Sequence, residues 1–145
     1  MVENVFKPIS TYRCRRNRRT RAGAVIVEFA LAAPIFILFM MVAFEFGWMN
    51  VMRHTADNAA YEAARTAIVP GATAAEALAK ANSLLNVVGA RKAKVTITPA
   101  TITSTTTAVT VAIDVPMASN GIITPRFTGK TVLHSQSTLK TERAK

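Results

Sequence analysis

The sequence holds a single cysteine, Cys14, and two histidines, His54 and His134. One cysteine excludes a disulfide within the chain and any metal site built on paired thiolates. Neither histidine stands at a ligand spacing such as His-Glu-x-x-His. Asp57, three residues after His54, makes a pair of the kind that helix surfaces commonly carry. There is no glycine-rich phosphate loop, and Ser135 and Ser137 lack a Gly-x-Ser-x-Gly setting. Without a convergent third group, no enzymatic activity, metal, cofactor or small-molecule substrate is expected. Aromatic residues are scarce at 7%, and only Phe6 and Tyr12 lie near the densest run of basic residues. That run therefore lacks the stacking side chains of a single-strand binder, and no nucleic-acid partner is expected.

Acidic residues are scarce as well, with 8 Asp and Glu against 18 Lys and Arg and a formal net charge of +10. The imbalance is local. Lys7, Arg13, Arg15, Arg16, Arg18, Arg19 and Arg21 face only Glu3 within residues 1–23, so most of the excess falls in a short leading arm. Such a run serves as a nucleic-acid or nuclear-localisation patch in some proteins. Placed directly before an apolar span, it reads instead as an orientation signal that stays on the cytoplasmic side. No apolar residue follows Arg15-Arg16 where a twin-arginine signal needs one. Cys14 lies in this arm, so loss of the arm leaves a chain without cysteine, compatible with an oxidising compartment.

Residues 24–44, AVIVEFALAAPIFILFMMVAF, form an apolar run whose only charge is Glu28. At about 1.5 Å of rise per residue the run covers roughly 31 Å, which matches a hydrocarbon core of about 30 Å. It is longer than the core of a secretory signal, and no Ala-x-Ala site follows Phe44, so a retained anchor is expected. Pro34 lies inside the run and is expected to kink it, which membrane helices tolerate. Trp48 stands where an interfacial aromatic belongs.

Glu28 needs a reason, because a carboxylate at the centre of a membrane helix costs roughly 2.5–3.5 kcal/mol. The plain explanation is that its side chain snorkels to the interface near the helix start. A second explanation starts from Gly23, where a small residue at the lipid–water boundary gives a protease access to the backbone. Cleavage after Gly23 would expose an amine on Ala24, and that charge and Glu28 would compensate each other, within one chain or between neighbours in an assembly.

Beyond the run the helical pattern continues. Ala56, Ala59, Ala60, Ala63, Ala64 and Ala67 are spaced three and four apart and line one face, while Asp57–Tyr61 and Glu62–Arg65 are expected as neighbours. Pro70-Gly71 ends the helix. Thr73 and Glu76 form a capping-box pattern that opens a second helix, with Ala77, Leu78, Ala81, Leu84, Leu85 and Val88 on its inner face and Gly89 as its stop. After Gly89 the period changes to two. Strands are expected over about 93–99, 107–116 and 130–140, with Val109, Val111, Ile113 and Val115 on one face of the second. The fold class is therefore α+β: a long amino-terminal transmembrane helix continuing into a soluble helix, a short second helix, and a small antiparallel sheet of about three strands packed on the alanine face.

The joint pattern resembles the TadE-like pseudopilins of tight-adherence (Flp) pilus systems, within the type IV prepilin-like proteins. The likeness is carried by Arg21-Ala-Gly-Ala-Val-Ile-Val-Glu-Phe-Ala-Leu-Ala-Ala-Pro34, by Phe44-Glu-Phe-Gly47 and by Glu62-Ala-Ala-Arg65, and more loosely by the tail from Ser137 to Arg143. The resemblance implies a basic leader over 1–23, cleaved by a prepilin peptidase between Gly23 and Ala24, with Glu28 and Phe29 as the processing and assembly motif. It implies a transmembrane helix over 24–47 and a pilin-like extracytoplasmic domain over 48–145. The implied setting is a bacterial inner membrane, crossed once, with the amino terminus cytoplasmic and the carboxy-terminal domain periplasmic. The implied partners are the peptidase, other pilins and pseudopilins, the pilus assembly machinery and the lipid bilayer. The leader is longer and richer in arginine than the pattern requires. The alternative reading is an uncleaved single-pass anchor that presents a small binding domain outside the cytoplasm.

Overall fold

A computed structural model describes residues 19–103, 105–121 and 126–141, with side chains from residue 23 onward. Most of the basic arm, Cys14, Pro125 and the last residues of the tail, Glu142 and Arg143 among them, lie outside the described residues. Helix α1 runs Arg19–Ile68, α2 runs Ala74–Val87, and strands β1 (Lys94–Thr98), β2 (Ala108–Pro116) and β3 (Val132–Lys140) form one antiparallel sheet in the order β1-β2-β3. A single 3-10 turn, Met117–Ser119, follows β2. The elements make an α+β fold, as the sequence predicts. The chain divides into two units, Met1–Leu38 and Phe39–Lys145, and α1 contributes to both.

In the first unit the helix is apolar on every side, and its large side chains face outward: Val25 is 61% exposed, Phe29 72% and Phe36 65%. A helix that is apolar all round belongs in a protein core or in lipid, and here no protein core covers it.

The second unit is built on the alanine stripe. Met52, Ala56, Ala59, Ala60, Ala63, Ala64 and Ala67 are all buried. Methyl-sized side chains bring the helix axis close to its neighbours, and the volume is supplied from the other side by Val109, Val111, Ile113 and Val115 of β2, each with no exposed surface. Burying one such aliphatic side chain contributes about 1.5–3 kcal/mol. β2 is the central strand, so its inward residues are sheltered on both flanks. The register sets Asp114 between Lys94 and His134, and Thr110 between Thr98 and Thr138. The outer face is thus polar, with the Thr110 and Thr138 hydroxyls hydrogen-bonded at 2.8 Å.

Helix ends follow local chemistry. The Val69 carbonyl accepts from the Ala72 amide at 3.1 Å, closing a turn with Pro70 at its second position and Gly71, at φ +86°, at its third. Those are the residues such a type II turn requires. The capping box at α2 forms in full: Glu76 N–H donates to Thr73 Oγ1 at 3.3 Å, and Thr73 N–H donates to Glu76 Oε2 at 3.1 Å. At the other end Gly89, at φ +64°, donates to the Asn86 carbonyl and Ala90 donates to that of Leu85, both at 3.0 Å. This is a Schellman closure, and its left-handed residue favours glycine.

One expectation needs correction. Ala77, Ala81 and Leu85 form the buried face of α2, whereas Leu78 is 39% exposed. Leu84 and Val88 are half-buried against the same core, so of the expected face only Leu78 turns out, beside Val95 and Ile97 of β1.

Candidate functional site

Gly23, Ala24, Glu28 and Phe29 lie on α1 and are exposed. A methyl group added at Gly23 would meet no atom within 4 Å, so the Gly23–Ala24 bond is sterically open. Glycine also weakens a helix by about 0.5–1 kcal/mol relative to alanine, which favours local opening there. Glu28 stands four residues after Ala24, on the same helix face. The helix continues through Pro34 without interruption. The segment from Gly23 onward is the one helix, among the described residues, long and apolar enough to cross a membrane.

At the far end of the apolar run two side chains of α1 tie into the folded unit. Glu45 Oε1 accepts from the amides of Phe127 (2.9 Å) and Thr128 (2.6 Å) and from the Thr128 hydroxyl at 2.7 Å. Three residues on, Trp48 Nε1–H donates to the Asn120 carbonyl. Asn120, buried at 5% exposure, is itself a hub. Its Oδ1 accepts from the Arg91 amide at 2.6 Å, and its Nδ2 donates to the carbonyls of Arg91 at 2.8 Å and Pro116 at 2.7 Å. The sequence pattern placed Trp48 at a lipid interface and gave Asn120 no role beyond the connection between the second and third strands. It gave Glu45 only a place in a motif. The structure joins each of them to residues roughly 30 to 80 positions away, which no local pattern reveals.

The histidines separate. His134 Nδ1 lies 2.6 Å from Asp114 Oδ1 on the outer face of the sheet, as cross-strand neighbours. His54 lines a shallow hollow beside Leu84 and Val87 of α2. Asp57 does not pair with Tyr61; its Oδ1 accepts from the Ser135 hydroxyl at 2.6 Å, linking α1 to β3. Glu62 and Arg65 are neighbours as expected, at 3.9 Å. Among the described residues no group of three His, Cys, Asp or Glu side chains is arranged to hold a metal ion.

Comparison with known proteins gives one positive result: the family model described as TadE-like protein matches residues 23–65. No curated protein and no solved structure matches. The matched residues begin at Gly23, run through Glu28, Phe29, Pro34 and Glu45, and end at Arg65 of the alanine-faced helix. The family resemblance read from the sequence is therefore shown over that segment, which lies wholly within α1.

Proposed function

We propose that the chain is a pseudopilin, a membrane-anchored minor component in the assembly of tight-adherence pili, processed by a prepilin peptidase between Gly23 and Ala24. The observation that carries this reading is the placement of Gly23, Glu28 and Phe29 at the head of an outward-facing apolar helix, inside the segment that matches the TadE-like family. After cleavage the amine of Ala24 and the carboxylate of Glu28 stand one helical turn apart and offset each other's cost in lipid, within the chain or against a neighbouring copy. The role is structural rather than catalytic. The basic arm faces the cytoplasm, the run over 24–44 crosses a bacterial inner membrane once, and the α+β unit lies in the periplasm. Its partners are the peptidase, other pilins and pseudopilins, the assembly machinery and the bilayer.

The test is direct. Expressed with a prepilin peptidase, the chain loses the mass of residues 1–23 and begins at Ala24 by mass spectrometry; a bulky residue at Gly23, as in Gly23→Leu, blocks the loss. A chain that keeps its arm in the presence of an active peptidase would instead be an uncleaved single-pass anchor.

A further inference from the structure

The turn around Phe127 combines features that do not suit a surface facing only water. Phe127 is 55% exposed, yet its backbone is fixed. Its amide and that of Thr128 donate to Glu45, Thr128 is buried, and the Thr131 amide closes the turn on the Thr128 carbonyl at 2.9 Å. Arg126 and Lys130, on either side, are both exposed.

The level of this turn along α1 is set by Glu45, the residue that directly follows the apolar run over 24–44. Phe127 therefore lies within one side chain's reach of the point where the run ends. Phe44, 60% exposed, and Phe46, 47% exposed, flank Glu45 in the same segment. Three exposed phenylalanines thus gather at the end of the run, Phe127 through its amide on Glu45 and Phe44 and Phe46 through the chain, and the exposed Arg126 and Lys130 lie near Phe127 in the turn. A run long enough to fill the hydrocarbon core brings that level to the lipid headgroups, where aromatic rings and basic side chains are both favoured.

We propose that the turn over 126–130 is a membrane foot: Phe127 enters the bilayer interface beside Phe44 and Phe46, while Arg126 and Lys130 contact anionic headgroups. The inference rests on the single-pass anchoring described above and adds a second, loop-borne contact with the same bilayer. Glu45 has a double part in it, ending the apolar run and holding the turn at that depth.

The experiment uses the full chain carrying Cys14→Ser, with one new cysteine bearing an environment-sensitive fluorophore. Phe127→Cys, Phe36→Cys within the run and Gln136→Cys on the outer face of the sheet are each reconstituted in phosphatidylcholine–phosphatidylglycerol vesicles. The quenchers are spin-labelled lipids in the bilayer and iodide in the water. The expected result is that the probes at 127 and 36 lose most of their emission to the lipid quencher, while the probe at 136 loses it to iodide. A probe at 127 that behaves like the one at 136, with 36 quenched from the lipid, overturns the foot and leaves the anchor intact. A probe at 36 that escapes the lipid quencher overturns both. Adding Arg126→Glu and Lys130→Glu lowers lipid quenching at 127 in the anionic vesicles and not in phosphatidylcholine alone; equal quenching with and without these changes overturns the headgroup contact.

Discussion

Asn120 shows how one residue ties together three parts of the chain, two through its side chain and one through its backbone carbonyl. Its amide group satisfies both the N–H and the C=O of Arg91 and the carbonyl of Pro116, and its own carbonyl receives Trp48 Nε1–H. A buried polar group without a partner costs about 1–3 kcal/mol, and truncating Asn120 strands several at once. Asn120→Ala is therefore expected to lower stability by at least about 1–3 kcal/mol, read as a lower urea midpoint at unchanged slope. Asn120→Asp is expected not to rescue it, because a carboxylate would face two carbonyl oxygens where the amide donated. A mutant with the wild-type midpoint would remove Asn120 from this role. The residues whose chemistry was legible are those with local partners. Thr73 and Glu76 are three apart, and their pattern alone names their bonds. Trp48 and Asn120 are 72 apart, and the sequence shows only that each is present.

At the scale of elements, the alanine stripe of α1 was fully legible, since its spacing fixes a face and its composition fixes a close approach. What it approaches was legible in kind, because β2 alternates Val109, Val111, Ile113 and Val115. The outward turn of Leu78 on α2 was not, since Leu78 and Leu85 are equally apolar and only the packing geometry separates them. The stripe has no slack: Ala60 has no exposed surface. Ala60→Leu is expected to destabilise the folded unit by about 1–3 kcal/mol or more through overpacking. Ala79→Leu, on the exposed side of α2, should shift stability by less than about 0.5 kcal/mol in the same thermal or urea titration. Equal effects at the two sites would mean that the stripe does not set the packing distance.

For the whole molecule, among the described residues every buried core residue lies at Met52 or later, while residues 24–44 carry most of the exposed apolar side chains. Anchoring and folding therefore draw on different residues of one helix. A fragment over 45–145, which keeps Glu45 and Trp48 but lacks the run, is expected to be soluble and to unfold cooperatively by circular dichroism, as small single domains do. A fragment with helical signal but no cooperative transition would show that the folded unit needs the anchor. Cleavage after Gly23 is likewise expected to leave this transition unchanged, since among the described residues the buried core begins at Met52.

By itself the sequence determined the apolar anchor, the alanine-faced helix, the capped second helix, the order of three strands and the Gly23–Phe29 motif. Each depends on composition or spacing within a few residues, where chain geometry leaves few choices. Only the tertiary structure decided that Glu45 holds the turn at Phe127, that Trp48 bonds to Asn120 inside the folded unit, and that Asp57 turns to Ser135 rather than Tyr61. Those partners lie 72 to 83 residues apart in the chain, and they meet because the sheet folds back along α1. Spacing along a helix says which side chains share a face. It does not say which distant backbone groups will lack a partner once that face is covered.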